Sequence, residues 1–206
     1  MPLNTTAREE ADMSQNSKCG GCGKMLGPFE SIAVAGVGDR CYPCFNREMA
    51  DRIGVDFDNT PLQPIVIADA DGVPHTFQIR SMLVATGHEM EALEITTDGQ
   101  LGYCFRVLAD VETDAWKLFR KLCARMRREM AQRYVERTKH GWQLTVDQRL
   151  VGRIEWDPET NGRLPLIVID GKPFTWEQVG RMLMTFEGFT LDARVEDTIL
   201  SVGDLI

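Results

Sequence analysis

A chain of 206 residues, 43% of them hydrophobic, is long and apolar enough to bury a real core in one or two domains. Its net charge of −8 argues against a generally basic nucleic-acid binder. No apolar run reaches the ~18 residues needed to span a bilayer.

Residues 1–17 are polar and acidic, with neither the apolar stretch of a secretory signal nor the Arg-rich amphipathic pattern of a transit peptide, and read as a flexible tail. Residues 18–54 form the first predicted module. Cys19-Gly20-Gly21-Cys22-Gly23 lets the backbone turn under a metal, its glycines leaving amides free to face the thiolates. Cys41-Tyr42-Pro43-Cys44 repeats the spacing, with eighteen residues between the pairs. Four thiolates close a tetrahedron with no position left for water or substrate, so Cys19, Cys22, Cys41 and Cys44 are read as ligands of a structural Zn2+. Rubredoxin-like iron and a pair of redox motifs are the competing readings; the βαβ pattern expected around a thioredoxin-like motif is missing here. Phe29 to Val34 and Asp39 to Tyr42 read as a hairpin about Ala35–Gly38. A helix follows, with Pro43 in its first turn, Phe45, Met49 and Ile53 along one face and Gly54 at its stop.

Knuckle, hairpin, knuckle and helix together resemble a treble clef, with spacing similar to GATA-type and LIM-type zinc fingers over residues 19–53. GATA-like fingers bind DNA through basic residues on and after the clef helix. Here residues 19–53 carry four basic and four acidic side chains, so the resemblance implies topology and not the binding residues. Gly38-Asp-Arg-Cys-Tyr-Pro-Cys-Phe-Asn-Arg-Glu-Met49 and Gly180-Arg-Met-Leu-Met-Thr-Phe-Glu-Gly188 make the whole chain similar to uncharacterised bacterial proteins that pair an N-terminal treble clef with an α+β domain.

Residues 55–64, with two prolines and several turn formers, read as a linker. An α+β domain is expected over 65–206, divisible into 65–140 and 141–206. Strand-like runs at Ile65 to Ala68, Thr76 to Ala85, Glu91 to Thr96 and Tyr103 to Leu108 are broken by turns at Asp71-Gly72, Gly87 and Asp98-Gly99, which predicts an antiparallel meander. A long helix is expected from Thr113 to Lys139, with Ala115, Phe119, Leu122, Met126 and Met130 as its apolar stripe. Leu150 to Trp156 and Leu164 to Ile169 flank a turn-rich loop, and Asp170-Gly171 leads to a shorter helix from Trp176 to Glu187. Thr175 and Gln178 form a capping-box pattern for that helix, and Met182, Met184 and Phe186 are expected in the core. Phe189 to Val195 reads as a final strand. The stretch 67–77 is echoed at 168–176, both running from strand through Asp-Gly turn to proline and aromatic.

Searching for chemistry yields little. Nucleotide, hydrolase and metalloprotease signatures are missing, and His75, His88 and His140 are far apart in sequence. Asp157-Pro-Glu-Thr-Asn-Gly162 opens like a calcium loop, but position twelve is Val168 where a bidentate Glu belongs. Cys104 and Cys123 read as buried small hydrophobes. Residues 112–139 hold nine basic and four acidic side chains between two acidic segments. The expected function is a cytoplasmic, non-enzymatic zinc protein whose module serves stability and contact with another protein. The alternative is nucleic-acid binding through Lys117, Lys121 and Arg128; the third is an enzyme with a site around His75, Asp69 and Asp71.

Overall fold

The computed structural model describes residues 17–27, 30–57, 59, 62–97, 99–197 and 199–201. Of the expected tail over 1–17, residues 1–16 lie outside the described residues and Ser17 opens the first strand; Phe29, Asp98 and linker positions 58, 60 and 61 also lie outside. The chain divides into two compact units, residues 1–59 and 60–206.

In the first unit, β1 (Ser17–Lys18) and β2 (Met25–Leu26) pair antiparallel, as do β3 (Ser31–Val34) and β4 (Gly38–Cys41). Helix α1 (Tyr42–Ile53) carries proline in its first turn and ends at Gly54, whose φ of 72° only glycine adopts freely, with Gly54 N–H donating to Ala50 O at 2.9 Å. The expected Phe45, Met49 and Ile53 stripe is not the buried face. Cys44, Asn46 and Ala50 are buried instead, while Ile53 is exposed. The helix is turned so that Cys44 joins Cys19, Cys41 and Leu26 in the small core of this unit, against its own apolar periodicity.

The second unit opens with β5 (Ile65–Ala68), β6 (Pro74–Val84), β7 (Gly87–Glu94) and β8 (Cys104–Ala109), paired as the expected antiparallel meander. Alternation sends Phe77, Ile79, Met90, Ala92, Phe105 and Val107 to one face. Helix α2 (Ala115–Met130) lays Leu118, Leu122, Met126 and Met130 against that face, and Asp114 caps it by accepting from Lys117 N–H at 2.8 Å. The expected continuation to Lys139 does not occur. Val135 to Thr138 is β9 and Gly141 to Leu144 is β10, antiparallel partners, so His140 and Gly141 lie at a hairpin turn and not at a helix end. β-Branched Val135 and Thr138 favour a strand, and α2 has already buried its stripe by Met130.

A second sheet comprises β11 (Arg153–Trp156), β12 (Pro165–Ile169) and β13 (Lys172–Thr175), followed by α3 (Trp176–Leu183) and a 3-10 turn at Met184–Phe186. The capping box at Thr175 and Gln178 is present in full. Val135, Leu144, Ile167, Ile169, Phe174, Val179 and Met182 form a separate core, whereas Met184 is exposed. No strand forms over Phe189 to Val195; β14 (Ile199–Ser201) instead pairs parallel with β8 at the edge of the first sheet. Sheets and three helices in this arrangement make the chain α+β. The two echoed stretches close differently: β5 and β6 are joined by a five-residue loop, β12 and β13 by the two-residue Asp170-Gly171 turn, both residues at positive φ as a type I′ hairpin requires. Among the described residues, no helix is long and apolar enough to cross a membrane.

Candidate metal centre

The β1–β2 turn supplies Cys19 and Cys22, β4 ends at Cys41, and the first turn of α1 supplies Cys44. The four Sγ atoms lie within 4.8 Å of one another. Cys22 Sγ and Cys41 Sγ are 3.8 Å apart. A tetrahedron with metal–sulfur bonds of about 2.3 Å has an S···S edge of about 3.8 Å, so four cysteines are positioned to bind a metal ion.

Local chemistry explains why this sequence closes the cluster. Cys19 N–H donates to Lys24 O and Gly23 N–H to Cys19 O, both at 2.9 Å, with Gly23 at φ 76°. A side chain at Gly21 would put its Cβ 3.0 Å from Cys44 Sγ, and one at Gly20 would put it 2.2 Å from Arg40 Nη1. The amides of Gly21 and Cys41 donate to Cys19 Sγ at 3.4 and 3.3 Å. Burial pushes the Cys19 thiol up, but these amides and that of Cys22 outweigh it and hold the group at about 6. At Cys44 burial prevails, with the neighbouring thiols acting the same way, and pushes the thiol up to about 12.

Arg40 is the residue that sequence reasoning missed. It is buried, donates from Nε to Glu48 at 2.8 Å and from Nη1 to the carbonyls of Val37 and Asp39 at 3.3 Å. Its guanidinium lies against Gly20 of the first knuckle and brings a positive charge beside Cys19 and Cys44. An arginine immediately before a ligand cysteine was the available signal. The unit's own apolar core is small, Leu26 with Cys19, Cys41 and Cys44, so Leu26 is core and not a contact surface.

The remaining candidate residues do not converge on this centre. On α2, Lys117 and Arg128 are exposed and Lys121 is half-buried. In the second unit, His75 Nδ1 lies 2.6 Å from Glu94 Oε1 and Nε2 lies 3.2 Å from Asp69 Oδ2. Sequence proximity suggested Asp69 and Asp71, but Asp71 pairs with Arg133, and Glu94 arrives only through the β6–β7 register. Asp69 Oδ1 accepts the amides of Asp71 and Val73, both at 2.9 Å; burial raises the Asp69 carboxyl, and these bonds with His75 hold it below the ordinary value. Carboxylates thus face both His75 nitrogens. His88 is buried against Ser81 Oγ at 2.8 Å and burial lowers its pKa, while His140 is exposed. Asp157 Oδ1 accepts Glu159 N–H at 3.0 Å within the turn between β11 and β12. Cys123 is buried and Cys104 half-buried, and both are free thiols.

Two comparisons fall on the second unit. Residues 58–131 match a family described as Domain of unknown function (DUF7686), and residues 134–199 match one described as Domain of unknown function (DUF7713). Neither description carries a function. No curated protein and no solved structure matches the chain.

Proposed function

We propose that Cys19, Cys22, Cys41 and Cys44 hold one structural Zn2+ and that the module over 18–54, read as a treble clef, serves stability and contact with a partner protein. The observation that carries this is the mutual approach of the four Sγ atoms within 4.8 Å. A filled thiolate tetrahedron offers no site for substrate, and a unit whose apolar core is this small draws its folding free energy from the metal. Met25 and Val37 are exposed on this module and supply its apolar contact surface. Thiolate ligation fits a reducing compartment, and we place the protein in the cytoplasm.

Metal analysis of the purified full chain tests the reading. One zinc per chain supports it; iron, or a folded protein without metal and with intact thiols, overturns it. Co-purification of partners with the native protein but not with Cys22→Ser supports the contact role. Partners retained by Cys22→Ser count against it.

One observation favours nucleic-acid binding as a second reading. Helix α2 carries six cationic side chains and one carboxylate, with Lys117, Arg120, Arg127 and Arg128 exposed and Trp116 61% exposed. Cations and an aromatic on one helix suit phosphates and an unstacked base. Affinity should then fall steeply with salt and drop when Lys117, Lys121 and Arg128 are neutralised. Flat titrations with DNA and RNA remove this reading.

A further inference from the structure

A cavity of about 350 Å³ opens within the second unit, where the β5–β6 loop and the start of β8 meet β9, β10 and the β12–β13 turn. Several carboxylates line it, but their hydrogen-bonding capacity is largely spent. Asp69 is engaged by two amides and His75. Asp170 Oδ2 accepts the amides of Tyr134 and Val135 at 2.8 and 2.9 Å. Asp71 is paired with Arg133. Glu136, exposed, is the fourth carboxylate of the lining.

Three donors line it as well. Tyr103 and Arg137 both line the cavity, and among the described residues neither the Tyr103 hydroxyl nor the Arg137 guanidinium has a partner. Lys172 makes a single long bond, 3.4 Å to Asp170 O. Arg137 stands directly opposite Trp142 in the β9–β10 register, and Lys172 Nζ lies 5.8 Å from the centre of the Trp142 ring. Tyr103 is held rigidly. Its ring stacks on Phe105 at 5.7 Å and meets the edge of His75 at 5.3 Å, and Gly171 leaves it room where a Cβ would sit 2.6 Å from the ring.

We infer that this cavity binds a small organic anion, a carboxylate or phosphate monoester on a flat ring, its oxygens taken by Tyr103, Arg137 and Lys172 and its ring resting on Trp142. The volume lies at the small end of ligand sites and suits a single-ring compound. Cations beside a planar apolar wall select for negative charge and flatness together, and a preformed phenol donor adds direction.

Titration of the full-length protein with benzoate, phenyl phosphate and benzylamine tests this by calorimetry and amide chemical shifts. One or both anions should bind, and the tighter of the two identifies the acid class. Binding should weaken about tenfold in Tyr103→Phe and in Arg137→Ala, the loss of one charge-assisted or directed hydrogen bond. Arg128→Ala removes the same charge from α2, away from the cavity, and should leave affinity unchanged. Tyr103→Phe keeps the stacked ring and Arg137 has no partner to lose, so both variants should retain the native amide spectrum. Benzylamine binding as tightly as the anions, an equal loss in Arg128→Ala, or no anion binding below ~10 mM overturns the proposal.

Discussion

Arg153 donates from Nη2 to the carbonyl oxygen of Gly102 at 3.0 Å, joining the three-stranded sheet to the residues that lead into β8 of the five-stranded sheet. A longer bond from Nη1 reaches Cys104 O at 3.5 Å, and Glu155 steadies the same guanidinium at 2.5 Å. Arg153→Ala should lower the unfolding free energy by about 1–3 kcal/mol, because a buried carbonyl loses its donor. Arg153→Lys should recover only part of that, since an ammonium cannot reproduce the planar fork. Denaturant titration of the three proteins measures the difference.

Asp170 performs a related task from the β12–β13 turn. It sits at φ 48°, where the type I′ turn needs a residue tolerant of positive φ, and its carboxylate satisfies the amides of Tyr134 and Val135. Asp170→Ala loses both, and a destabilisation of about 2–3 kcal/mol is expected, with faster hydrogen exchange at the two amides. Asp170→Asn keeps the backbone preference and a neutral acceptor, and should lose about 1 kcal/mol.

Glu91 makes the stability depend on pH. It is buried, within 3.1 Å of Arg80 Nη1 and 2.8 Å of Arg106 Nε. Burial raises its pKa, but Arg106 and Arg80 outweigh burial and hold the carboxyl below its ordinary value of 4.5. The folded state therefore binds the proton more weakly than the unfolded chain. The stabilisation is complete above the unfolded value and declines as pH falls from it toward the folded value. Glu91→Gln should flatten that acid limb, and at neutral pH it should cost about 3 kcal/mol by removing the carboxylate that Arg80 and Arg106 share, with Arg106 left the longer contact to Glu89 at 3.8 Å. Thermal melts of both proteins across acidic and neutral pH check the sign.

Gly87 has a steric reason to be glycine. It lies at φ 147° directly after the β6–β7 turn, and a Cβ there would fall 2.1 Å from the carbonyl oxygen of Ala109. Gly87→Ala must push β7 and β8 apart at that end. A loss of about 2 kcal/mol or more in chemical denaturation is expected.

Metal removal should act on one unit and spare the other. A chelator, or Cys44→Ser, should collapse the amide dispersion of residues 17–57 while the resonances of 62–197 stay in place. The first unit's apolar core is small, whereas the second has two apolar cores of its own. Heteronuclear spectra of the full chain with and without chelator make the comparison.

Much of the fold was legible because local chemistry and tertiary structure agree over most of the chain. The meander is written in alternation and turn residues, α3 in its capping box, and the β12–β13 turn in Asp-Gly. Agreement fails where a segment's fate depends on a distant partner. Residues 131–139 read as a continuation of the long helix, yet β9 forms there and pairs with β10 because Val135 and Leu144 fill the second core. Phe189 to Val195 is apolar enough for a strand but finds no edge, and the edge of β8 is taken by residues 199–201.

The sequence by itself determined the four-cysteine cluster. Its four cysteines come as two short-range pairs, and a two-residue spacing with glycine beside it constrains the thiolates before any long-range packing occurs. Only the tertiary structure brought Arg40 against the first knuckle, set Glu94 and Asp69 on either side of His75, and left Tyr103, Arg137 and Lys172 facing one cavity. Those groupings depend on strand register and on the packing of residues up to about seventy positions apart, and register is decided by which faces are buried together, information that no single segment contains.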